Sequence, residues 1–225
     1  MKSNFLKEYV IAHRGIYDNK KIVENTIGSF IKAINKGYAI ELDLHLSKDN
    51  KIVVFHDDKL ERLTNKKGFI KDKTVEELKK IKLLNTDNYI PTFDEVLSLV
   101  NGKVPLLIEL KYDIRGFKLE REVSKMLKDY TGEYAIQSFN PKTIIWFRIF
   151  KNKIIRGLLI SNRTIKIFNS LKLINLCKPD FININKELVN NKIISKYKGI
   201  KLIYSVDKSE KDKYSDKCDN MICNI

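Results

Sequence analysis

The sequence predicts one α/β domain, a (β/α)8 TIM-type barrel with a β-hairpin and a short insertion after its second strand and with the final helix missing. Three observations lead there. Short apolar runs alternate with helical patterns along the chain, which calls for a parallel sheet with crossover helices. The nine strand candidates include one pair joined only by Ser47-Lys48-Asp49-Asn50-Lys51. A parallel crossover takes about a dozen residues, so 39–56 reads as an antiparallel hairpin, and without its returning strand eight barrel strands remain. Titratable residues close several of these apolar runs, as active-site residues do at the C-terminal rim of such a barrel.

The strands are expected at 9–13, 39–45, 52–56, 105–110, 134–138, 154–160, 180–184, 200–206 and 220–224. The first helix is ENTIGSFIKAINKG, with Ile27, Phe30, Ile31 and Ile34 at helical spacing and Asn35-Lys36-Gly37 as its stop. Later helices are expected near 93–100, 118–129, 141–151, 162–175, 186–197 and 207–216. Ile225 follows the last strand at once, leaving a strand for an N-terminal segment or a second subunit to cover. Residues 59–91 form the insertion, within which Thr74-Val75-Glu76-Glu77 reads as a capping box opening a short helix.

Composition agrees with one enzyme-sized domain over residues 1–225, with no linker and no repeat. The net charge of +15 raises a nucleic-acid or anionic-membrane partner. The lysines are spread along the chain, however, and no nucleic-acid module is recognisable, so nucleic acid is not expected. Peripheral contact with an anionic membrane and a homo-oligomer stay open. The N-terminus has no apolar stretch of signal-peptide length and no run reaches the ~20 residues of a membrane span, so the expected location is cytoplasmic. Cys177, Cys218 and Cys223 lack metal-type spacing and read as small buried hydrophobes.

Glu41 and Asp43 lie two apart on one strand and so share a face, in the barrel mouth. Like charges placed together are costly unless neutralised, and a hard divalent cation bound by oxygens does this, with Glu109 at the end of the next barrel strand as third ligand. An all-carboxylate site suits Mg²⁺ or Ca²⁺. The competing reading is an ion network of Glu41 and Asp43 with Lys111 and Arg14. His13 and His56 end their strands in HRG and HD contexts, and imidazole can serve as general acid or base near neutral pH. His45 shares the face of Glu41 and Asp43 but lies about 6–7 Å beyond Asp43 along the strand, and falls outside the catalytic set. Arg14 offers a planar fork to phosphate oxygens and Lys111 a compact charge.

AHRG, ENT, IELDLHLSKDNKIVVFHDDKLERLT, IPTFDEVL and IELK follow one another over residues 11–111, and QSFN extends the series at 137–140. In this order they resemble the glycerophosphodiester phosphodiesterase family. The resemblance implies metal-dependent hydrolysis of small glycerophosphodiesters to sn-glycerol 3-phosphate and an alcohol. It assigns His13 and His56 to acid–base catalysis, Glu41, Asp43 and Glu109 to the metal, and Arg14 and Lys111 to phosphate. Glu24, in the polar loop that opens the first helix, is grouped with the substrate-binding residues, either orienting His13 or Arg14 or acting as a helix N-terminal acid. Val23 replaces the family's usual proline there, and Tyr204 replaces a usual tryptophan in Tyr204-Ser205-Val206-Asp207, which with Ser138-Phe139 lines the pocket in the family. The insertion is expected over the rim, as a small lid. Alternatives are a phospholipase D-like enzyme acting on lysophospholipids or glycerophosphate polymers, and a non-catalytic phosphodiester-binding barrel.

Overall fold

The computed structural model describes residues 4–167 and 170–225. It opens with α1 (Phe5–Glu8) and β1 (Ile11–Ala12), followed by α2 (Ile27–Asn35), β2 (Ala39–Leu46) and β3 (Ile52–Val54). The insertion contributes α3 (Val75–Lys79), where Thr74 and Glu77 make the expected capping box. Alternation then continues through α4 (Phe93–Val100), β4 (Leu106–Leu110), α5 (Lys118–Met126), β5 (Tyr134–Ser138), α6 (Pro141–Phe150) and β6 (Arg156–Ile160). It finishes with α7 (Asn162–Ile167), α8 (Ser170–Cys177), β7 (Phe181–Asn185), β8 (Ile200–Asp207) and β9 (Asn220–Asn224).

The strand order β1-β9-β8-β7-β6-β5-β4-β2 closes through a parallel β1–β2 pairing, while β3 runs antiparallel beside β2. Eight parallel strands therefore form the barrel and the hairpin strand lies outside it, as the short 47–51 connection requires. Residues alternate between the two faces of each strand. Ile40, Leu42, Leu44, Ile108 and Ile136 point outward into the core shared with Phe30, Phe93, Val96 and Phe147 of the helices. The inward set is apolar at the strand starts: Ile11, Ala39, Leu107, Ala135, Phe181, Leu202 and Ile222 form the barrel floor with Phe5 and Leu6 of α1. A Cβ on Gly157 would meet the Phe181 ring at 2.1 Å, so only glycine lets that ring fill the floor. Farther along the same inward faces the residues become Glu41, Asp43, Glu109, Gln137 and Asn183, so the polar site is built on an apolar plug.

The N-terminal segment thus closes the floor, held by Asn220 Nδ2 donating to the carbonyls of Leu6 and Tyr9 at 3.0 and 2.7 Å. The outer face of β9 is covered differently, with Met221 and Cys223 buried alongside Tyr214. Two expected α-helices are corrected. Residues 186–197 form only the 3-10 turns Lys186–Leu188 and Ile194–Lys196, and 207–216 form the 3-10 segment Lys208–Tyr214. In the first, Asn191 Oδ1 accepts the backbone N–H of Ile193 and so competes with helix formation. In the second, KSEKDKY carries one apolar residue and has no stripe to bury. Of the helix expected at 162–175, residues 168 and 169 lie outside the described residues.

The insertion has a core of its own, in which Leu60, Leu63, Ile70, Leu78, Ile81, Leu83 and Ile90 pack on Val23, Val53 and Phe55. All three cysteines are free. Among the described residues no helix is long and apolar enough to cross a membrane.

Candidate active site

Strand register brings the carboxylates together. Asp43 on β2 pairs with Glu109 on β4, and Glu109 with Gln137 on β5, all on the inward face. Glu41, Asp43 and Glu109 are buried, and each offers an oxygen within 4.8 Å of the others. Lys111 Nζ lies 2.7 Å from Asp43 Oδ1 and 2.6 Å from Glu109 Oε1. Glu41 receives neutral donors instead, the Arg14 backbone N–H at 3.2 Å and the Gln137 amide at 3.3 Å. Burial, reinforced by the charges of Asp43 and Glu109, pushes the Glu41 carboxyl well above its usual range. Asp43 goes the other way, because Lys111 and its other cationic neighbours outweigh its burial. The buried trio therefore remains short of positive charge at Glu41, and three hard oxygen donors this close fit a divalent cation. Both sequence readings are partly present, since the ion network and the acidic cluster share the same atoms.

Arg14 sits in a left-handed turn with φ 57°, followed by Gly15 at φ 81°. The turn is held by two donors to the Arg14 carbonyl, the Asn25 backbone N–H at 3.0 Å and Ser29 Oγ at 3.1 Å. The Arg14 guanidinium donates to Glu24 Oε1 at 2.7 Å and its Nε lies 3.5 Å from Asp43 Oδ2. That Nε has no hydrogen-bond partner although it is buried. A buried donor without a hydrogen bond is costly, and here the ion pair of Nε with Asp43 offsets part of that cost. Asn25 Nδ2 donates to Asp43 Oδ2 at 2.8 Å, fixing that carboxylate from the opposite loop.

The two histidines are held by different partners. His13 Nδ1 lies 2.7 Å from Asn224 Oδ1, while Asn224 Nδ2 donates to Asp207 Oδ1. With the amide oxygen facing it, Nδ1 carries the proton and Nε2 keeps its lone pair. Burial and the neighbouring Arg14 charge push the His13 imidazole down to about 4, so it is neutral at physiological pH. His56 Nδ1 lies 2.5 Å from Asp57 Oδ1, which leaves its Nε2 free as well. His45 stays outside this set, with its Nε2 3.2 Å from the His56 carbonyl oxygen.

Two connected spaces meet at these groups. An inner recess of about 90 Å³ is lined by His13, Arg14, Glu41, Gln137 and Tyr204. An outer mouth of about 740 Å³ is lined by Asp57, Arg62, Phe69, Lys111 and Tyr112. His56, Glu109 and Phe139 border both. Phe139 and Tyr204 pack edge to face with centroids 5.9 Å apart, forming an aromatic wall on one side.

The sequence pattern of the glycerophosphoryl diester phosphodiesterase family matches residues 13–214. The chain belongs to this family. A glycerophosphodiester phosphodiesterase of Caldanaerobacter subterraneus subsp. tengcongensis is 35% identical over 219 residues, covering 91% of this chain and 88% of that protein. Among solved structures, the glycerophosphodiester phosphodiesterase of Thermotoga maritima superposes with a TM-score of 0.76 at 26% identity, covering 96% of this chain and 94% of its own. A phosphodiesterase of Oleispira antarctica, solved with the product sn-glycerol 3-phosphate, shares the fold with a TM-score of 0.79 at 22% identity, covering 96% and 92% of the two chains.

The barrel of this family member gathers all eight residues singled out from sequence around the recess and mouth: His13, Arg14, Glu24, Glu41, Asp43, His56, Glu109 and Lys111. Glu24 reaches the site through Arg14. Its carboxylate is 2% exposed and is occupied by Arg14, Arg62 and Asn19. Sequence reading passed over Asp57, Arg62, Gln137, Asn25 and Asn224. Asp57 stands next to His56, and a carboxylate adjoining a strand-end histidine was a usable signal. Arg62 stands in FHDDKLERLT five positions after Asp57, but its Glu24 partner is 38 positions away, and Asn224 meets His13 from 211 positions away, so neither long-range contact had a local signal.

Proposed function

We propose that the chain hydrolyses glycerophosphodiesters to sn-glycerol 3-phosphate and an alcohol in a divalent-metal-dependent reaction, with His13 and His56 as the general acid–base pair, and that residues 1–225 act as one catalytic domain. The observation that carries this reading is the recess itself. Two imidazoles with free Nε2 atoms, the carboxylates of Glu41 and Glu109 and the Arg14 guanidinium border the recess, the Lys111 ammonium lines the adjoining mouth, and Asp43 completes the carboxylate trio behind them.

Glu41, Asp43 and Glu109 would hold the cation, and Mg²⁺ or Ca²⁺ suits their oxygens. When bound, it neutralises charge on the phosphate oxygens. Arg14, lining the recess, sets its guanidinium charge beside the phosphoryl group, and Lys111 adds a second positive charge that stabilises the more anionic transition state. Glu24 keeps Arg14 in this orientation. His13, neutral and with its lone pair at Nε2, takes the proton from the attacking hydroxyl, whether of water or of the substrate's own glycerol. His56 Nε2 delivers a proton to the departing alkoxide, and the Asp57 carboxylate holds its Nδ1–H. The outer mouth receives the alcohol portion, against Phe69, Tyr112 and Phe139.

The test is release of glycerol 3-phosphate from glycerophosphocholine and glycerophosphoethanolamine by protein first stripped with a chelator and then supplied with Mg²⁺, Ca²⁺ or Mn²⁺. Activity lost on stripping and restored by a cation supports both reaction and metal. Absence of release under every condition overturns the reading.

A further inference from the structure

We infer that Arg62 is a positioning residue that locks the His56 side of the site to the Arg14 side, an inference that rests on the proposed acid–base and phosphate-binding roles of those two residues. Arg62 comes from the insertion, outside the barrel, and uses all three of its guanidinium nitrogens. Nε donates to Asp57 Oδ2 at 2.5 Å, while Nη1 and Nη2 donate to Glu24 Oε2 and Oε1 at 2.9 and 2.7 Å. The other oxygen of Asp57 faces His56 Nδ1 at 2.5 Å. Glu24 Oε1 also accepts from Arg14 at 2.7 Å. One unbroken chain of charged contacts therefore runs His56, Asp57, Arg62, Glu24, Arg14 around the rim.

The two carboxylates that Arg62 joins stand on separate segments, Glu24 before α2 and Asp57 after β3. The planar fork reaches both at once because its nitrogens diverge at fixed angles, and an ammonium on a flexible stem has no equivalent. Without Arg62, Asp57 can rotate away from His56 Nδ1, and the direction of Nε2 is no longer set. Glu24, left with Arg14 as its sole arginine partner among the described residues, is free to draw that guanidinium off Asp43. Displacements of about 1 Å in such groups cost turnover on the order of 10²-fold. Because Arg62 also lines the mouth, the insertion both walls the entrance and aligns the chemistry.

The test compares wild type with Arg62→Ala, Arg62→Lys, Asp57→Asn and the double variant Arg62→Ala/Asp57→Asn. The expected result is a loss of kcat on the order of 10- to 100-fold in Arg62→Ala with a smaller change in KM. Added guanidinium ion should restore part of that loss, Arg62→Lys should be no better than Arg62→Ala, and the double variant should lose less than the product of the two single losses. Wild-type kcat in Arg62→Ala overturns the proposal, as does a loss that guanidinium leaves unchanged and that multiplies fully with Asp57→Asn. Nitrogen NMR of the imidazoles at alkaline pH reads the same link without turnover. His56 should be held as the Nδ1–H tautomer in wild type and become a mixture in Arg62→Ala, and an unchanged tautomer overturns the proposal. An inactive wild-type protein would count against the proposed reaction, and the NMR comparison would still decide the link.

Discussion

Lys111 Nζ lies 2.7 Å from Asp43 Oδ1, and the same ammonium lies 2.6 Å from Glu109 Oε1. A single half-buried cation thus bridges two of the three carboxylates proposed to bind metal. Replacing it with a neutral side chain strips Glu109 of its cation and leaves Asp43 with Arg14 alone, at 3.5 Å, as ion-pair partner among the described residues. Breaking one partner out of a buried charge pair costs about 3–5 kcal/mol. Lys111→Met should therefore melt well below wild type in chelator, and added Mg²⁺ or Ca²⁺ should raise its melting temperature by more than it raises that of wild type. Equal shifts in both proteins would separate the lysine from the cation site.

The histidines should divide sharply. His13→Ala and His56→Ala are expected to lose on the order of 10² or more in kcat. His45→Ala removes one contact to the His56 carbonyl and should cost about 1 kcal/mol of stability, with turnover affected far less. Steady-state kinetics beside urea melts distinguish the cases. Near-wild-type turnover in either of the first two variants would remove that residue from the acid–base pair.

Glu24 should shape the acid limb of the stability curve. Burial alone would raise its carboxyl, but Arg62 and Arg14 outweigh burial and bring it from the usual 4.5 down to about 2. A carboxyl lowered in the folded state stabilises the fold above its unfolded value, and the contribution fades as pH falls from about 4.5 toward 2. Glu24→Gln should be less stable than wild type at neutral pH, with the gap narrowing across that acid window. Denaturant midpoints measured from pH 7 down to pH 2 check this, and a constant gap would contradict it.

Gly15 supports the turn that aims Arg14. Its φ is 81°, and a Cβ there would lie 2.6 Å from Ser29 Oγ and 2.8 Å from the Ser29 carbonyl carbon. The backbone at Ser29 cannot yield cheaply, because Ser29 belongs to the capping box that opens α2. Gly15→Ala should cost about 1–3 kcal/mol of stability and lower kcat/KM by displacing Arg14. Urea unfolding with parallel kinetics tests both parts. An unperturbed variant would show that the turn relaxes freely.

Much of this molecule is readable without coordinates because its signals are local. The alternation of IELDLHL placed Glu41 and Asp43 on one face, and the five-residue connection after it forced a hairpin. The helices with a clear apolar stripe, such as Phe93–Val100, fell where expected. Those at 186–197 and 207–216 did not form, since an asparagine side chain or the lack of an apolar face outweighed the general alternation.

By itself the sequence determined the barrel, its hairpin and the set of acids, bases and cations at the strand ends, since strand and helix periods are written in neighbouring residues. Only the tertiary structure decided what those groups touch. Barrel closure put Asn224 against His13 from 211 positions away, and the insertion delivered Arg62 to Glu24 across 38. Closure likewise placed Phe5 and Leu6 under the floor and the ammonium of Lys111 between two acids. Such contacts depend on the packing of distant segments and on side-chain geometry to within a fraction of an ångström, which no local pattern carries.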